Sequence, residues 1–224
     1  MYIPEHFAAP SAEAIAKLIH DFPLANLLTA SDAAGDQPMG LTINPVPMVL
    51  APGESTGTEF GIEPGARLWA HVARANPMWQ TLADKPQAMA LFNGPSAYIT
   101  PNAYPSKQTT HRVVPTYNYT TVQLIGQLMV HHDPELKQQI VTHLTQHHER
   151  DQAVPWSVND APVDYVQAML KAIVGLEFTV HSVQAKWKVS QNRSSADQAG
   201  VISELQSRTN DPHALQMATL IGKQ

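Results

Sequence analysis

The chain of 224 residues contains no cysteine. A disulfide framework, a thiolate metal site and a cysteine nucleophile are therefore excluded, and the absence fits a reducing compartment. Long apolar runs are missing too: none approaches the roughly 20 residues of a membrane-spanning helix. The opening residues Met1–His6 lack the basic and then apolar pattern of a signal peptide. From these absences we expect a cytoplasmic protein.

Charge is also sparse. Charged residues make up 15% of the chain, and the formal net charge is -5 with neutral histidines. A domain built for nucleic acid is usually strongly basic, so DNA binding here would need a local basic patch or a partner. What the chain does have is 43% hydrophobic residues, enough to bury a substantial core and to exclude general disorder.

The order of predicted elements indicates an α+β fold and not a βαβ array. We predict helices over 11–21, 76–85, 133–149, 162–173 and 194–207. We predict strands over 24–30, 38–50, 68–72, 88–92, 97–99, 117–130 and 175–189, with turns at 31–36 and 93–95 and a polar loop over 101–116. Residues 1–208 are expected to form one domain, and residues 209–224 a C-terminal tail.

One candidate site lies at residues 71–77, where a predicted strand runs into a helix that would begin at Asn76 and Pro77. Free N–H groups at a helix N-terminus attract anions, and Arg74 could add a bidentate contact. The alternative is a loop arginine that pairs with a surface acid.

A second candidate is the loop over 104–119, which combines Lys107 and Arg112 with hydroxyls, amides and three tyrosines. That mixture suits a flat aromatic ligand carrying phosphate, because rings stack and cations hold oxygens. The alternative is a surface loop stiffened by proline.

A third candidate is the basic segment 186–193. Strand alternation puts Lys186 and Lys188 on one face and Trp187 on the other. The lysines could bind the phosphate of a nucleotide ligand or of DNA. The alternative is a strand end with a core tryptophan and two solvated lysines.

Two weaker patterns carry no assignment. His143 and His147 have metal-ligand spacing on a helix, but the glutamate of H-E-x-x-H is absent and incidental histidines are favoured. The G-x-S-x-G match at 53–57 has no helix after it, so a flexible loop is favoured over a nucleophile. We assign no catalytic residue and no metal ligand.

Several segments taken together resemble the PaiB-like family. They are MYIPEHF (1–7), HVARANPMW (71–79), GPSAYITP (94–101) with YPSK (104–107), VVPTYNY (113–119), MLKAIVG (169–175), and KWKVSQNR (186–193) with GVI (200–202). The resemblance implies a split β-barrel with flanking helices, a homodimer with an FMN site at its interface, and a negative transcriptional regulator.

The resemblance also implies roles for particular residues. Positive charge toward the phosphate would come from Arg74, Lys107, Arg112, Lys186 and Lys188, and the ligand would be lined by Thr116, Asn118 and Tyr119. Three positions depart from the family pattern: Pro45 stands in place of a histidine, Tyr117 in place of a tryptophan, and Arg112 in place of a lysine. These departures bear on flavin affinity more than on the fold.

Two other functions fit the same fold. A flavin-dependent oxidoreductase would need only to place a substrate against the flavin, because the cofactor carries the chemistry. A haem-binding split barrel would need an axial histidine, for which His71, His111 and His181 are the candidates.

Overall fold

A computed structural model describes residues 1–30, 40–53, 62–82 and 84–223. The helices are α1 (Ala12–Asp21), α2 (Met78–Thr81), α3 (Lys107–Thr110), α4 (Pro134–Glu149), α5 (Val163–Lys171), α6 (Ser195–Ser207) and α7 (Pro212–Ile221). The strands are β1 (Leu24–Ala30), β2 (Leu41–Pro47), β3 (Val49–Leu50), β4 (Arg67–Ala73), β5 (Gln87–Ile99), β6 (Thr116–His131) and β7 (Ile173–Lys188). The turn predicted at 31–36 and most of the 53–57 motif lie outside the described residues.

The described strands form one antiparallel sheet in the order β2-β1-β5-β6-β7-β4-β3. Its two edge strands, β2 and β3, are consecutive in the chain and are separated by Met48 alone. The same extended segment therefore pairs with β1 on one side and, through Val49 and Leu50, with β4 on the other. This shared segment curls the sheet into a barrel that stays split between β2 and β4, which confirms the predicted α+β split barrel.

The turn predicted at 93–95 is wrong. Residues 88–99 belong to one long strand, β5, whose register against β6 shifts between Asn93 and Ser96. Gly94 and Pro95 form this irregularity, because a β-bulge accommodates a proline and an extra residue without ending the strand.

Side-chain caps explain why most helix limits were predictable. Ser11, Asp133 and Ser194 each accept a hydrogen bond from the backbone N–H three residues later, at the starts of α1, α4 and α6. Helix α2 is much shorter than predicted and ends at Thr81. The sequence suggested a tail over residues 209–224, but the structure has helix α7 there, and Asp211 caps it.

The main core lies inside the barrel and under helices α1, α6 and α7. Helix α7 belongs to it because Met217 and Ile221 are buried there. A smaller cluster forms where Ile140 and Leu144 of α4 pack against Trp69 on β4. The helices therefore cover parts of the barrel and leave other parts of the outer sheet surface open.

Candidate functional site

The split in the barrel is a cleft of about 240 Å³ between β2 and β4, which we call the β2–β4 cleft. It is lined by Asn44, Pro45, Val46, Pro47, His71, Val72, Ala73 and Asn76. The cleft exists because β2 and β4 approach each other without pairing, so the groups that face across it are not joined by the hydrogen bonds of a strand ladder.

Two buried polar atoms of this cleft have no hydrogen-bond partner in the described part of the chain: Asn44 Nδ2 and His71 Nδ1. The Asn44 side chain is held in place, since its Oδ1 accepts a hydrogen bond of 2.9 Å from Asn76 Nδ2. Burial lowers the pKa of His71, so its imidazole is neutral at neutral pH. Unpartnered buried polar groups are rare because they are costly, and a ligand with acceptor oxygens would satisfy this pair.

Arg74 follows β4 directly and lies beside the cleft, but its guanidinium is engaged. Nε donates to the Lys171 carbonyl at 2.8 Å, and Nη2 donates to the Ile173 carbonyl at 3.3 Å. The Lys171 carbonyl ends α5, where a cation is favoured by the helix dipole, and the Ile173 carbonyl begins β7. Arg74 therefore has a structural role in addition to any role toward a ligand.

The predicted anion site at a helix N-terminus is not formed as expected. Helix α2 has four residues, and the N–H of Met78 is already bound by Asn76 Oδ1 at 3.0 Å. A helix this short offers little dipole and few free N–H groups. Side chains of the cleft, and not the helix end, are the available ligand groups here.

A second group of predicted residues meets on the outer surface of the sheet. We call it the tyrosine–lysine face: Tyr98 on β5, Tyr117 and Tyr119 on β6, and Lys186 and Lys188 on β7. Tyr119 lies opposite Lys188 in the β6–β7 register, while Trp187 between the lysines is buried. The same-face prediction for the two lysines is consistent with this alternation.

Aromatic rings and cations are interleaved on this face. The rings of Tyr98 and Tyr117 lie 5.8 Å apart, edge to face. Lys186 Nζ lies 5.5 Å from the Tyr119 ring centroid and 5.6 Å from that of Tyr2, which is cation–π geometry.

Lys188 Nζ donates to Thr116 Oγ1 and to the Tyr117 carbonyl. Burial lowers the pKa of Lys188, and the charges of Lys186 and Arg193 lower it further. Neither Lys186 nor Lys188 forms an ion pair with a carboxylate among the described residues. The face therefore carries uncompensated positive charge next to aromatic rings, which suits an anionic aromatic ligand.

Other predicted site residues do not join either group. Asn118 is buried on the opposite side of β6 and donates from Nδ2 to Ser190 Oγ at 2.8 Å. Lys107 donates from Nζ to Asn102 Oδ1. Arg112 is exposed, and its backbone N–H is bound by Thr110 Oγ1 at 3.3 Å.

Within one chain the two groups lie far apart. Arg74 is next to Ile173 at the start of β7, and Lys188 is the last residue of the same strand. A single copy therefore does not bring the cleft and the tyrosine–lysine face together around one ligand.

Sequence reasoning missed Asn44 as a site residue and named His71 as a candidate haem ligand, not as a residue of the flavin site. The available signal was position: Asn44 directly precedes Pro45, where the family pattern has its missing histidine. Neither spacing nor composition could indicate that the Nδ2 atom of this edge-strand asparagine would have no hydrogen-bond partner in the described part of the chain.

The other histidines of interest have ordinary contacts. His143 Nε2 lies 2.7 Å from the Leu50 carbonyl, and His147 Nε2 lies 3.1 Å from the His20 carbonyl. His111 and His181 are exposed. Among the described residues no helix combines the length and apolar character needed to cross a membrane.

The chain is similar to known proteins in both sequence and fold. A family model described as "Putative FMN-binding domain" matches residues 1–182. An uncharacterized protein of Emericella nidulans is 31% identical, over 94% of this chain and 92% of its own. The protease synthase and sporulation protein PAI 2 of Bacillus subtilis is 29% identical, over 99% of this chain and 96% of its own.

A solved structure shares the fold at low identity. It is the FAD and haem binding protein from Mycobacterium smegmatis, with a TM-score of 0.54 and 14% identity, covering 80% of this chain and 72% of that one. At this identity the likeness concerns the fold alone.

Proposed function

Since the chain belongs to the FMN-binding domain family, we propose that it is a cytoplasmic, homodimeric flavoprotein that holds FMN at the β2–β4 cleft and acts as a negative transcriptional regulator. FMN is the cofactor of the family. The observation that carries the site is the pair of buried unpartnered atoms, Asn44 Nδ2 and His71 Nδ1.

The polar side chains of the cleft fit the polar groups of this cofactor. An amide N–H₂ and a neutral imidazole can meet the phosphate or ring oxygens of FMN, and Arg74 adds positive charge at the end of β4. When bound, FMN supplies redox chemistry. The chain's own residues bind and orient it and keep its polar edge out of bulk water.

The tyrosine–lysine face completes the proposed site from a second copy. Tyr98, Tyr117 and Tyr119 offer ring surfaces for stacking, and Lys186 and Lys188 offer charge toward phosphate. Because this face and the cleft lie at opposite ends of β7 in one chain, a dimer that crosses the ends would bring them together.

A surface suited to such a dimer runs across the outer sheet. Ile43 pairs with Leu28, Leu28 with Met89, and Met89 with Ile125, so four apolar side chains form a row across four strands. In the single chain Ile43 is 61% and Ile125 37% exposed. A contiguous exposed apolar patch of this kind is typical of a protein–protein interface, and we name it the apolar row.

The regulatory part of the proposal rests on the family resemblance of the sequence segments. With a net charge of -5, direct DNA contact would depend on a local patch such as Lys186, Lys188 and Arg193. If the FMN phosphate binds to Lys186 and Lys188, flavin binding and DNA binding would compete.

The flavin site is tested by titrating the purified protein with FMN and measuring flavin fluorescence after removal of free dye. We expect about one FMN per chain. Asn44→Ala and Lys188→Gln should each weaken binding about tenfold or more, since a hydrogen bond to a charged group contributes about 1.5–3 kcal/mol. Exposed Asn192→Ala and Lys171→Gln are the matched controls. Retained affinity in Asn44→Ala would place the flavin elsewhere.

Dimerisation and regulation need separate measurements. Sedimentation of Ile43→Lys should give monomers if the apolar row is the interface, whereas Val163→Lys, at an exposed residue of α5, should not. Gel shifts with flavin-free and flavin-loaded protein test DNA binding. No shift in either state would rule out direct repression without touching the flavin assignment.

A flavin-dependent oxidoreductase is the second candidate, favoured by the neutral, half-buried His71 in the cleft. NAD(P)H oxidation by the FMN-loaded protein, with a rate per bound FMN that is lower in His71→Gln, would favour this reading over the regulator.

A further inference from the structure

A second cavity lies away from the β2–β4 cleft, between the first and last helices. We call it the α1–α7 groove. It has a volume of about 340 Å³ and is lined by Ala14, Lys17, Leu18, Asp21, Phe22, Pro95, Thr120, Trp187, Gln216, Thr219, Leu220 and Lys223. Its size falls within the range of small-molecule sites, about 300–1,000 Å³.

The floor of the groove combines an apolar wall with one unsatisfied hydroxyl. Thr120 on β6 is 2% exposed, and its Oγ1 has no hydrogen-bond partner in the described part of the chain. Trp187, 5% exposed, lies directly opposite Thr120 in the β6–β7 register. Leaving a buried hydroxyl unpaired is costly, so a ligand atom that hydrogen-bonds to Thr120 would be favoured there.

The backbone of β5 at Gly94 lies very close to two side chains that line the groove. A Cβ atom at Gly94 would stand 2.3 Å from Thr120 Oγ1 and 3.0 Å from Leu18 Cδ1. Glycine at the β5 irregularity therefore leaves the space that the side chains of Thr120 and Leu18, both lining residues of the groove, occupy. With Phe22 and Trp187 among the lining residues, the body of the groove suits a flat ring.

Two lysines line the rim of the groove, and they differ in their ion pairing. Lys17 is paired with Asp21 at 2.8 Å. Lys223, at the end of α7, is exposed and has no carboxylate partner among the described residues. The groove thus combines a buried hydroxyl and aromatic side chains with a lysine, Lys223, that has no carboxylate partner in the described part of the chain.

We infer that the α1–α7 groove binds a small aromatic carboxylic acid that carries a hydroxyl group at its far end. The ring lies between Phe22 and Trp187, the ligand hydroxyl meets Thr120, and the carboxylate lies near Lys223. This site is separate from the flavin cleft and stands whether or not the chain binds FMN.

Isothermal titration calorimetry with three probes tests the inference on the full chain. The probes are para-hydroxycinnamate, cinnamate, which lacks the hydroxyl, and cinnamamide, which lacks the charge. We expect para-hydroxycinnamate to bind best, with about one site per chain. Cinnamate should bind about threefold to tenfold more weakly, as expected for one hydrogen bond, and cinnamamide should be weaker than cinnamate.

Variants assign each contact. Thr120→Val keeps the shape and should remove the advantage of para-hydroxycinnamate over cinnamate without changing the affinity for cinnamate. Lys223→Gln should weaken both acids by up to about fivefold, the size of an exposed ion pair, and leave cinnamamide unchanged. The control Lys171→Gln should change none of the three affinities.

Thr219 is an exposed lining residue of α7, so Thr219→Trp should fold normally and block the groove. Binding that persists unchanged in Thr219→Trp, or that ignores Thr120→Val, would overturn the inference. So would the absence of any binding heat with all three probes. If the affinity for the probes falls as the protein concentration rises, a second copy of the chain occupies the groove instead.

Discussion

Replacing Asp197 should be among the most damaging single changes outside the barrel. Asp197 is the third residue of α6 and is 5% exposed. Its Oδ1 accepts from Ser106 N at 3.0 Å and its Oδ2 from Ser106 Oγ at 2.9 Å. This one carboxylate ties α6 to the turn that leads into α3, and thereby positions the segment that carries Lys107 and Arg112.

The magnitude follows from those contacts. Asp197→Ala removes two hydrogen bonds to a charged group, at about 1.5–3 kcal/mol each, and leaves Ser106 donors unpaired. We expect a loss of about 3–5 kcal/mol in the free energy of unfolding. Asp197→Asn keeps one acceptor and the shape but loses the charge, and we expect a loss of about 1–2 kcal/mol.

The pH dependence gives an independent check. Burial raises the pKa of Asp197, but the hydrogen bonds from Ser106 and Ser194 and the charge of Arg193 outweigh it and lower the pKa below its ordinary value. The unfolded chain therefore takes up the proton first as pH falls. The stability that the carboxylate contributes is present above the unfolded pKa of about 4 and is lost as pH drops through the lower folded pKa.

Urea unfolding followed by circular dichroism measures both effects. The wild-type advantage over Asp197→Asn should be full at neutral pH and shrink below about pH 4. Asp164→Ala, an exposed acid in the first turn of α5, is the control and should lose less than about 1 kcal/mol. A loss below about 1 kcal/mol in Asp197→Ala, or an advantage over Asp197→Asn that does not change in acid, would refute the reasoning.

Two further predictions concern packing and titration. At Gly126 a Cβ atom would stand 2.0 Å from the Thr179 carbonyl oxygen and 2.8 Å from Phe178 Cζ. Gly126→Ala should therefore lower the free energy of unfolding, measured by urea titration, by about 2–3 kcal/mol. The control Gly222→Ala should change it little, because a Cβ atom has room at Gly222. Burial, with the charges of Arg150 and nearby histidines, lowers the pKa of His147 to about 4. Because the unfolded chain takes up this proton first, the free energy of unfolding falls as pH drops from the ordinary histidine pKa toward 4. His147→Gln should flatten that fall in thermal melts, and an unchanged slope would contradict the shift.

Local sequence determined most element limits. Strand β1 was predicted at its observed bounds, and α4 and α6 to within a residue at each end, because helix caps and flanking proline and turn residues act over a few neighbouring positions. Alternation along β7 also placed Lys186 and Lys188 on one face, with Trp187 buried between them. These signals need no knowledge of distant residues.

Elements that depend on distant partners were predicted less well. Gly94 and Pro95 looked like a turn, but pairing of β5 with β6 on both sides of them keeps the strand continuous. The segment after Thr209 looked like a tail, yet Met217 and Ile221 are buried in the main core. A short amphipathic helix is stable only when its apolar face packs against another part of the protein.

The sequence by itself determined the α+β class, the alternating faces and the residue types that suit a flavin phosphate. Only the tertiary structure decided which of those residues meet. It placed Arg74 and Lys188 near opposite ends of β7 and turned Asn118 into the interior. It also left two atoms of the β2–β4 cleft, Asn44 Nδ2 and His71 Nδ1, without a hydrogen-bond partner among the described residues. The physical reason is that a hydrogen-bond partner is found, or lost, through contacts between segments far apart in the chain, and no local pattern encodes that outcome.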